Sequence, residues 1–352
     1  MGETPHILSV ATAVPPHRLA QSQVKAWARR QFNGAAGKSP AITERLLEAF
    51  DNAGVETRYS CVPLEWYGAE HGWPEKNNLY LEHATALAHE AATACLAKAG
   101  VGADRVDSLI TVSTSGIATP SLDARLMNRL AFRAEVRRLP VFGLGCAGGA
   151  LGLGRAAEAA RAEPGRLILL IVVELCGLTF RSADRSKSNV IATALFGDGA
   201  AAVLVSTGGT GPALTHWGEH TWPDTLSVMG WSVEDDGLGV IFSRDIPNLV
   251  ESRFAEAAEA FLAARGLTLA DLDGYICHPG GAKVVGALER VFGLQAGGLA
   301  LTRRVLADYG NMSAASVLFV LAESLNHDAP GRYLLTALGP GFSAGFAVIE
   351  VA

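Results

Sequence analysis

Apolar runs alternate along this chain with alanine-rich stretches, and glycines stand at the joints. Residues 139–144 predict a buried strand, the glycines that follow a tight turn, and Gly149 onward an alanine-rich helix. Residues 1–90 read as a mixed, partly helical lead-in. Residues 165–205 predict strand, loop and strand, closing on Phe-Gly-Asp-Gly-Ala-Ala-Ala-Val-Leu-Val. Residues 206–252 are rich in turns with short strands, and residues 337–351 close the chain with a second glycine-punctuated apolar run.

The pattern repeats. Residues 89–110 and 255–276 align without a gap, with nine of twenty-two positions identical. Alanine content accounts for some matches. Leu96/Leu262, Gly100/Gly266, Asp107/Asp273 and Ile110/Ile276 nevertheless fall in register. Each copy predicts a helix, a glycine stop, an Asp-containing loop and a buried strand. A period of 166 residues (255 − 89) is too long for a solenoid unit and fits a duplicated α/β half. The halves are expected over 1–205 and 206–352. Cys146 lies 39 residues after Asp107 and Asn311 lies 38 after Asp273, so both are expected at equivalent helix starts. His278 ends a predicted strand opening into Pro-Gly-Gly. In layered α/β folds chemistry gathers at such ends.

Composition narrows the class. The chain has 352 residues, 49% hydrophobic and 18% charged, which is material for a large core in two domains or one fused body. A net charge of −6 argues against nucleic acid as a partner. No secretion signal and no membrane-length apolar run is present, so a cytoplasmic protein without an integral membrane segment is expected. The cysteines at 61, 95, 146, 176 and 277 are odd in number and scattered, which fits reduced thiols. No Cys-x-x-Cys or His-x-x-x-His pair suggests a metal site.

Cys146, where a strand hands over to a helix, has small neighbours that leave a substrate room. Unpaired N–H groups and the helix dipole would favour its thiolate. The plainer reading is a buried cysteine at a glycine-rich packing contact. Gly143-x-Gly145-x-x-Gly148 matches the dinucleotide fingerprint, but Glu174 falls 26 residues past Gly148, later than a ribose-binding acid should. The order Cys, His, Asn has a papain-like spacing without the papain signature. A third reading is carbon–carbon bond formation on thioesters. A thiolate takes an acyl group from a thioester at little net cost. A neutral His and an amide then donate to the enolate left by decarboxylating a malonyl thioester. That chemistry needs no metal or redox cofactor.

Five motifs bring a specific resemblance: Gly-Cys-Ala-Gly-Gly (145–149), Ala-Leu-Phe-Gly-Asp-Gly-Ala-Ala-Ala (194–202), His-Pro-Gly-Gly (278–281), Tyr-Gly-Asn-Met-Ser-Ala-Ala-Ser-Val-Leu-Phe (309–319) and Gly-Pro-Gly-Phe (339–342). Over nearly its whole length the chain resembles the type III polyketide synthases, the chalcone-synthase-like branch of the thiolase superfamily. The resemblance implies a five-layered αβαβα duplication in a homodimer that uses acyl-CoA and malonyl-CoA. It implies Cys146 as nucleophile, His278 and Asn311 as the groups that bind the thioester carbonyl, Phe196 as the aromatic beside the cysteine, and Arg58 as a contact to CoA phosphates.

The departures from the plant pattern point to a bacterial enzyme. Val240 aligns with a bulky phenylalanine of the cavity wall, and Cys176 and Gly177 with Thr and Ala of the starter pocket. Thr114 and Thr179 keep small polar residues nearby. Glu65-Trp66-Tyr67 and His71-Gly72-Trp73-Pro74 resemble alkylresorcinol and alkylpyrone synthases. The expectation is a long fatty acyl starter in an apolar tunnel, extended with malonyl-CoA and cyclised. Its competitors are a ketoacyl synthase that condenses once to start fatty-acid synthesis, and a catalytically silent acyl-binding scaffold.

Overall fold

The computed structural model describes residues 3–32, 40–327 and 329–352. Its strands are β1 (His6–Ala13), β2 (His17–Ala20), β3 (Thr57–Ser60), β4 (Ser108–Val112), β5 (Arg137–Val141), β6 (Ile168–Leu175), β7 (Asp198–Ser206), β8 (Ala213–Thr221), β9 (Met229–Glu234), β10 (Gly237–Phe242), β11 (Gly274–Cys277), β12 (Gly331–Gly339) and β13 (Ser343–Val351). One nine-stranded sheet runs β11-β12-β13-β8-β1-β7-β6-β4-β5.

The sheet carries the duplication. In the first half β4 pairs parallel with β6, which pairs antiparallel with β7, which pairs antiparallel with β1. In the second half β11, β12, β13 and β8 repeat that order and those senses. Among the described residues β5 has no counterpart. The repeated aspartates do the same work in each half. Asp107 Oδ2 accepts the Leu167 N–H at 2.9 Å, and Asp273 Oδ2 accepts the Arg332 N–H at 2.8 Å, each fixing the start of the next strand. The repeated glycines stop their helices with left-handed backbone, φ +66° at Gly100 and +71° at Gly266.

β6 is buried on both faces. Leu169, Ile171 and Val173 join one core, which includes the helix Trp73–Ala99. Ile168, Leu170 and Val172 join another, which includes the helices Gly148–Ala162 and Ser316–His327. These two central helices touch strands of both halves. The helices Ala255–Ala263 and Ala282–Val291 cover the outer face of the second half. The two halves of the sheet join through the short β1–β8 contact at His6 and Ala213, and the layers are helix, half-sheet, helix pair, half-sheet, helix.

The central helices approach closely because their contact residues are small. A Cβ on Gly149 would stand 2.3 Å from the Ala314 carbonyl oxygen, and one on Gly148 2.7 Å from Val112. Of the apparent dinucleotide glycines, Gly145 and Gly148 are thus spent on packing, a Cβ on Gly145 lying 2.5 Å from Pro340, while Gly143 serves a turn with φ +94° and has open space around it.

Two expectations need correction. Residues 139–144 do not form a buried strand. β5 is the outermost strand, with one free edge, and Leu139 and Phe142 are 47% and 59% exposed. The loop expected between β6 and β7 contains a helix, Lys187–Leu195, whose N-cap Ser186 accepts the Asn189 N–H at 3.1 Å. Among the described residues no helix is long and apolar enough to cross a membrane.

Candidate active site

Cys146 sits in a tight turn, Gly145–Ala147, at the head of the helix Gly148–Ala162. Asn311 precedes the matching turn Ser313–Ala315 at the head of the helix Ser316–His327. The helix packing brings these two turns together. His278 follows β11 and is held by its own N–H to the Thr336 carbonyl at 2.9 Å.

Asn311 is the joint of the site. Its N–H donates to Leu195 O at 2.8 Å, and its carbonyl accepts the Gly197 N–H at 3.0 Å, which clasps Phe196. Its side-chain Oδ1 accepts the Ser313 N–H at 2.8 Å. That bond fixes the amide orientation and leaves Nδ2 free to donate, at 3.4 Å from Gly280 O. The Gly280 N–H in turn reaches the His278 carbonyl at 3.0 Å. Ser313 adopts φ +48°, a strained backbone for a residue with a Cβ.

The site is largely buried, and burial dominates the titration of its groups. Burial pushes the Cys146 thiol up to about 12 and Glu174 adds to this, while the hydrogen-bonding groups of Ser313 and Asn311 pull the other way. Burial thus opposes the thiolate preference expected from the helix start, while Cys146 itself is only partly covered. Burial pushes His278 down to about 3, and both its buried ring nitrogens lack a protein partner. It is a neutral imidazole with a free N–H. Glu174, pushed up to about 7 by burial, accepts the N–H groups of Thr114 and Ser115, each at 3.0 Å. It braces the turn beside Cys146 instead of holding a ribose. Thr114 Oγ1 accepts the Gly145 N–H at 3.2 Å.

Two cavities meet here. One is bounded by Cys146, Ser313, Phe196, Trp231, Val240 and Phe242. The other lies behind Cys176, Gly177, Thr179 and Phe196 and runs between apolar side chains such as Trp27, Tyr67 and Phe180. Phe196 and Val240 border both. Val240 pairs across the β9–β10 hairpin with Trp231, so their side chains share a face. Trp231 packs edge-on against Phe196 at 6.1 Å. Volume released by a valine at 240 is therefore partly taken by a tryptophan at 231. Gly177 cannot carry a tunnel-filling side chain, since a Cβ there would lie 2.5 Å from Tyr67 Oη.

Arg58 is not a phosphate contact. It is 4% exposed, and its guanidinium donates to the carbonyls of Thr193 (2.6 Å), Ala194 (2.7 Å) and Phe196 (2.9 Å), and to Gln21 Oε1. Hydrogen bonds to a charged group are worth about 1.5–3 kcal/mol each, so Arg58 does not swing out. It caps the carbonyl end of the helix Lys187–Leu195 and positions Phe196. Beside the site, Arg45, Lys187, Arg244 and Lys283 line a cleft that also borders Gly280 and Phe242. Neither these nor Trp231 carried a spacing signal, because they come from four separate segments.

Two family models, described as chalcone and stilbene synthases, match the chain, the N-terminal domain over residues 2–210 and the C-terminal domain over 215–348. The chain belongs to this family, the type III polyketide synthases. A 1,3,6,8-tetrahydroxynaphthalene synthase of Streptomyces peucetius subsp. caesius is 40% identical, over 98% of this chain and 92% of that protein. A putative chalcone synthase of Bacillus subtilis is 38% identical, over 96% of each. The crystal structure of the tetrahydroxynaphthalene synthase of Streptomyces coelicolor A3(2), at 28% identity, superposes with a TM-score of 0.92 over 98% of this chain and 99% of that one. A type III polyketide synthase is an acyltransferase that catalyses decarboxylative condensation. The chain is thus neither a nicotinamide enzyme nor a papain-like protease.

The depressed imidazole has a consequence for stability. In the unfolded chain His278 titrates near 6.5, and in the folded chain near 3. Between those values unfolding takes up a proton at this site. Its contribution therefore falls as the pH drops, by up to about 1.4 kcal/mol per pH unit. Glu174 contributes with the opposite sign, but equally in wild type and variant. His278→Gln should gain on the wild type in urea midpoint as the pH falls from 7 to 4. Midpoints that keep a constant separation would contradict the buried neutral state.

Proposed function

We propose that Cys146 is the nucleophile and that His278 and Asn311 are the oxyanion donors of malonyl decarboxylation and condensation. The observation that carries this is the pair of donors beside Cys146, the Asn311 amide, oriented by Ser313 and using one long bond to Gly280 O, and the buried, unpartnered His278 ring. The Cys146 thiol attacks the starter thioester, and CoA leaves as the thiol with the displaced proton. The malonyl thioester then loses CO2, and the electron pair of the broken C–C bond becomes an enolate whose oxygen rests on His278 and Asn311. The enolate carbon attacks the Cys146-bound acyl carbon and the sulfur leaves. One thioester replaces another and decarboxylation supplies the carbanion, so no cofactor beyond CoA thioesters is required. The basic cleft of Arg45, Lys187, Arg244 and Lys283 suits CoA phosphates.

Cys146→Ala should form no acyl-enzyme. Asn311→Ala should slow CO2 release from malonyl-CoA by about 100–1000-fold. Stoichiometric acyl labelling of the alanine variant, or undiminished CO2 release, would remove the residue concerned.

The starter reading is a long fatty acyl chain laid in the apolar cavity behind Cys176, with an alkylpyrone or alkylresorcinol product. A second reading, a tetrahydroxynaphthalene with no alkyl arm, is favoured by Trp231 and by the product named for the Streptomyces relatives. A series of acyl-CoAs with malonyl-CoA, followed by product mass, separates them. Each buried methylene contributes about 0.8 kcal/mol, so affinity should rise about fourfold per methylene until the cavity fills. Val240→Phe should move the preference to shorter starters. One arm-free product from malonyl-CoA alone, with no acyl chain incorporated, supports the second reading and sinks the first.

The homodimer would form through β5. Its edge is free, Leu139 within it and Phe142 just after it are large apolar side chains left exposed in the single chain, and covering them is what a second copy would do. Light scattering should give twice the chain mass, and Phe142→Glu should lower it toward one chain. A wild-type mass of one chain at micromolar concentration rejects the dimer.

A further inference from the structure

Lys76 is a cation in an unfavourable place. It stands in the first turn of the helix Trp73–Ala99, where the helix end disfavours positive charge, and it is 4% exposed. Burial draws its pKa below the usual lysine value, and Asp236 opposes that shift. Such a group is costly unless its donors are used. Here the ammonium donates to the carbonyls of Phe180 at 2.8 Å and Asp236 at 3.0 Å.

Asp236 belongs to the two-residue loop between β9 and β10, and its carboxylate receives Arg181 Nε at 2.5 Å. The hairpin pairs with no strand of the main sheet among the described residues, and a lone two-stranded hairpin is marginal by itself. Yet it supplies Met229, Trp231, Val240 and Phe242 to the wall around Cys146. Phe180, whose carbonyl Lys76 holds, lines the second cavity. Gly237 at the hairpin tip has φ +140°, and a Cβ there would lie 3.4 Å from the Trp73 ring and 3.8 Å from the Lys76 stem, so the tip is seated directly on the latch helix.

We propose that Lys76, Arg181 and Asp236 are positioning residues, a latch that clamps the β9–β10 hairpin and so fixes, through Trp231 and Val240, the space in which the polyketide chain grows. None of the three lines either cavity. The inference rests on reading the Cys146 cavity as the place of chain growth. A released hairpin lets the growing chain take conformations that the clamped wall excludes, so early-released lactones increase at the expense of the full-length product. Decarboxylation depends on other residues and is untouched.

The test compares Lys76→Met, Arg181→Gln, Arg181→Lys and Trp231→Ala with the wild type. Amide hydrogen exchange across 229–242 should quicken about tenfold in Lys76→Met and Arg181→Gln, the loss expected for one charge-assisted hydrogen bond. Exchange in the helix Gly148–Ala162 and CO2 release from malonyl-CoA should stay at wild-type rates. The ratio of early-released to full-length product should rise severalfold in both, and Arg181→Lys should restore part of it. Arg181 is less buried than Lys76, so Arg181→Gln decides the matter if Lys76→Met fails to fold. Unchanged hairpin exchange overturns the latch. Faster exchange with a wild-type product ratio overturns its role in specificity. A Trp231→Ala variant that also keeps the wild-type ratio then places the fault in the growth-cavity reading.

Discussion

Everything at the site depends on how closely the helices Gly148–Ala162 and Ser316–His327 approach. The position of the missing Gly149 side chain is 2.3 Å from the Ala314 carbonyl oxygen. Any larger residue would push the helices apart, and with them the turns that carry Cys146 and Asn311. The contact also sets what Asn311 can reach. From that position its backbone bonds Leu195 and Gly197 and clasps Phe196 between them. One tight helix crossing thereby fixes Cys146 and Asn311, the proposed nucleophile and oxyanion donor, and the aromatic that borders both cavities.

Burial governs the electrostatics around that crossing. Cys146 and Glu174 are pushed up and His278 is pushed down, all mainly by desolvation. A neutral histidine with free ring nitrogens is a hydrogen-bond donor to a developing oxyanion, and a buried site strengthens that interaction. Several charged side chains serve architecture instead of substrate. Asp198, pushed up to about 6 by burial, accepts the N–H groups of Gly177 at 2.7 Å and Cys61 at 2.9 Å and so shapes the turn behind the cysteine. Arg58 caps the helix end before Phe196. Asp198 and the terminal nitrogens of Arg58 are bonded mainly to backbone groups, while Arg58 Nε has no partner, and those bonds offset most of the cost of burying charge beside the cavity.

Relatives of this chain are named for different products, and in this chain the walls of the two cavities are built separately from the turns that hold Cys146 and Asn311. Cys146, His278 and Asn311, the residues proposed to act on substrate, come from turns and a strand end locked by the core. The walls come from a detached hairpin and a short helix, whose side chains are exchanged without disturbing the helix crossing. Val240 and Trp231 exemplify this, one smaller and one larger on the same face of the hairpin.

The duplication, the placement of Cys146 and Asn311 at matching helix starts, His278 at a strand end and the aspartates that fix the next strands were all legible in the chain. Each rests on local periodicity, a glycine stop or a spacing, which are short-range properties of a sequence. What the chain alone could not decide was which neighbour each segment meets. Residues 139–144 have the composition of a buried strand but occupy the sheet's free edge, and edge position is set by strand order. Arg58 has the composition of a phosphate ligand but is enclosed by a helix that begins 129 residues later (187 − 58). Trp231 and the cations of the cleft face their cavities only once four distant segments converge. Local pattern therefore determined the elements and the reacting groups. Tertiary packing alone decided which faces are dry, which charges are sealed, and how much room lies beside the cysteine, because burial and volume belong to the assembled structure and not to any segment of it.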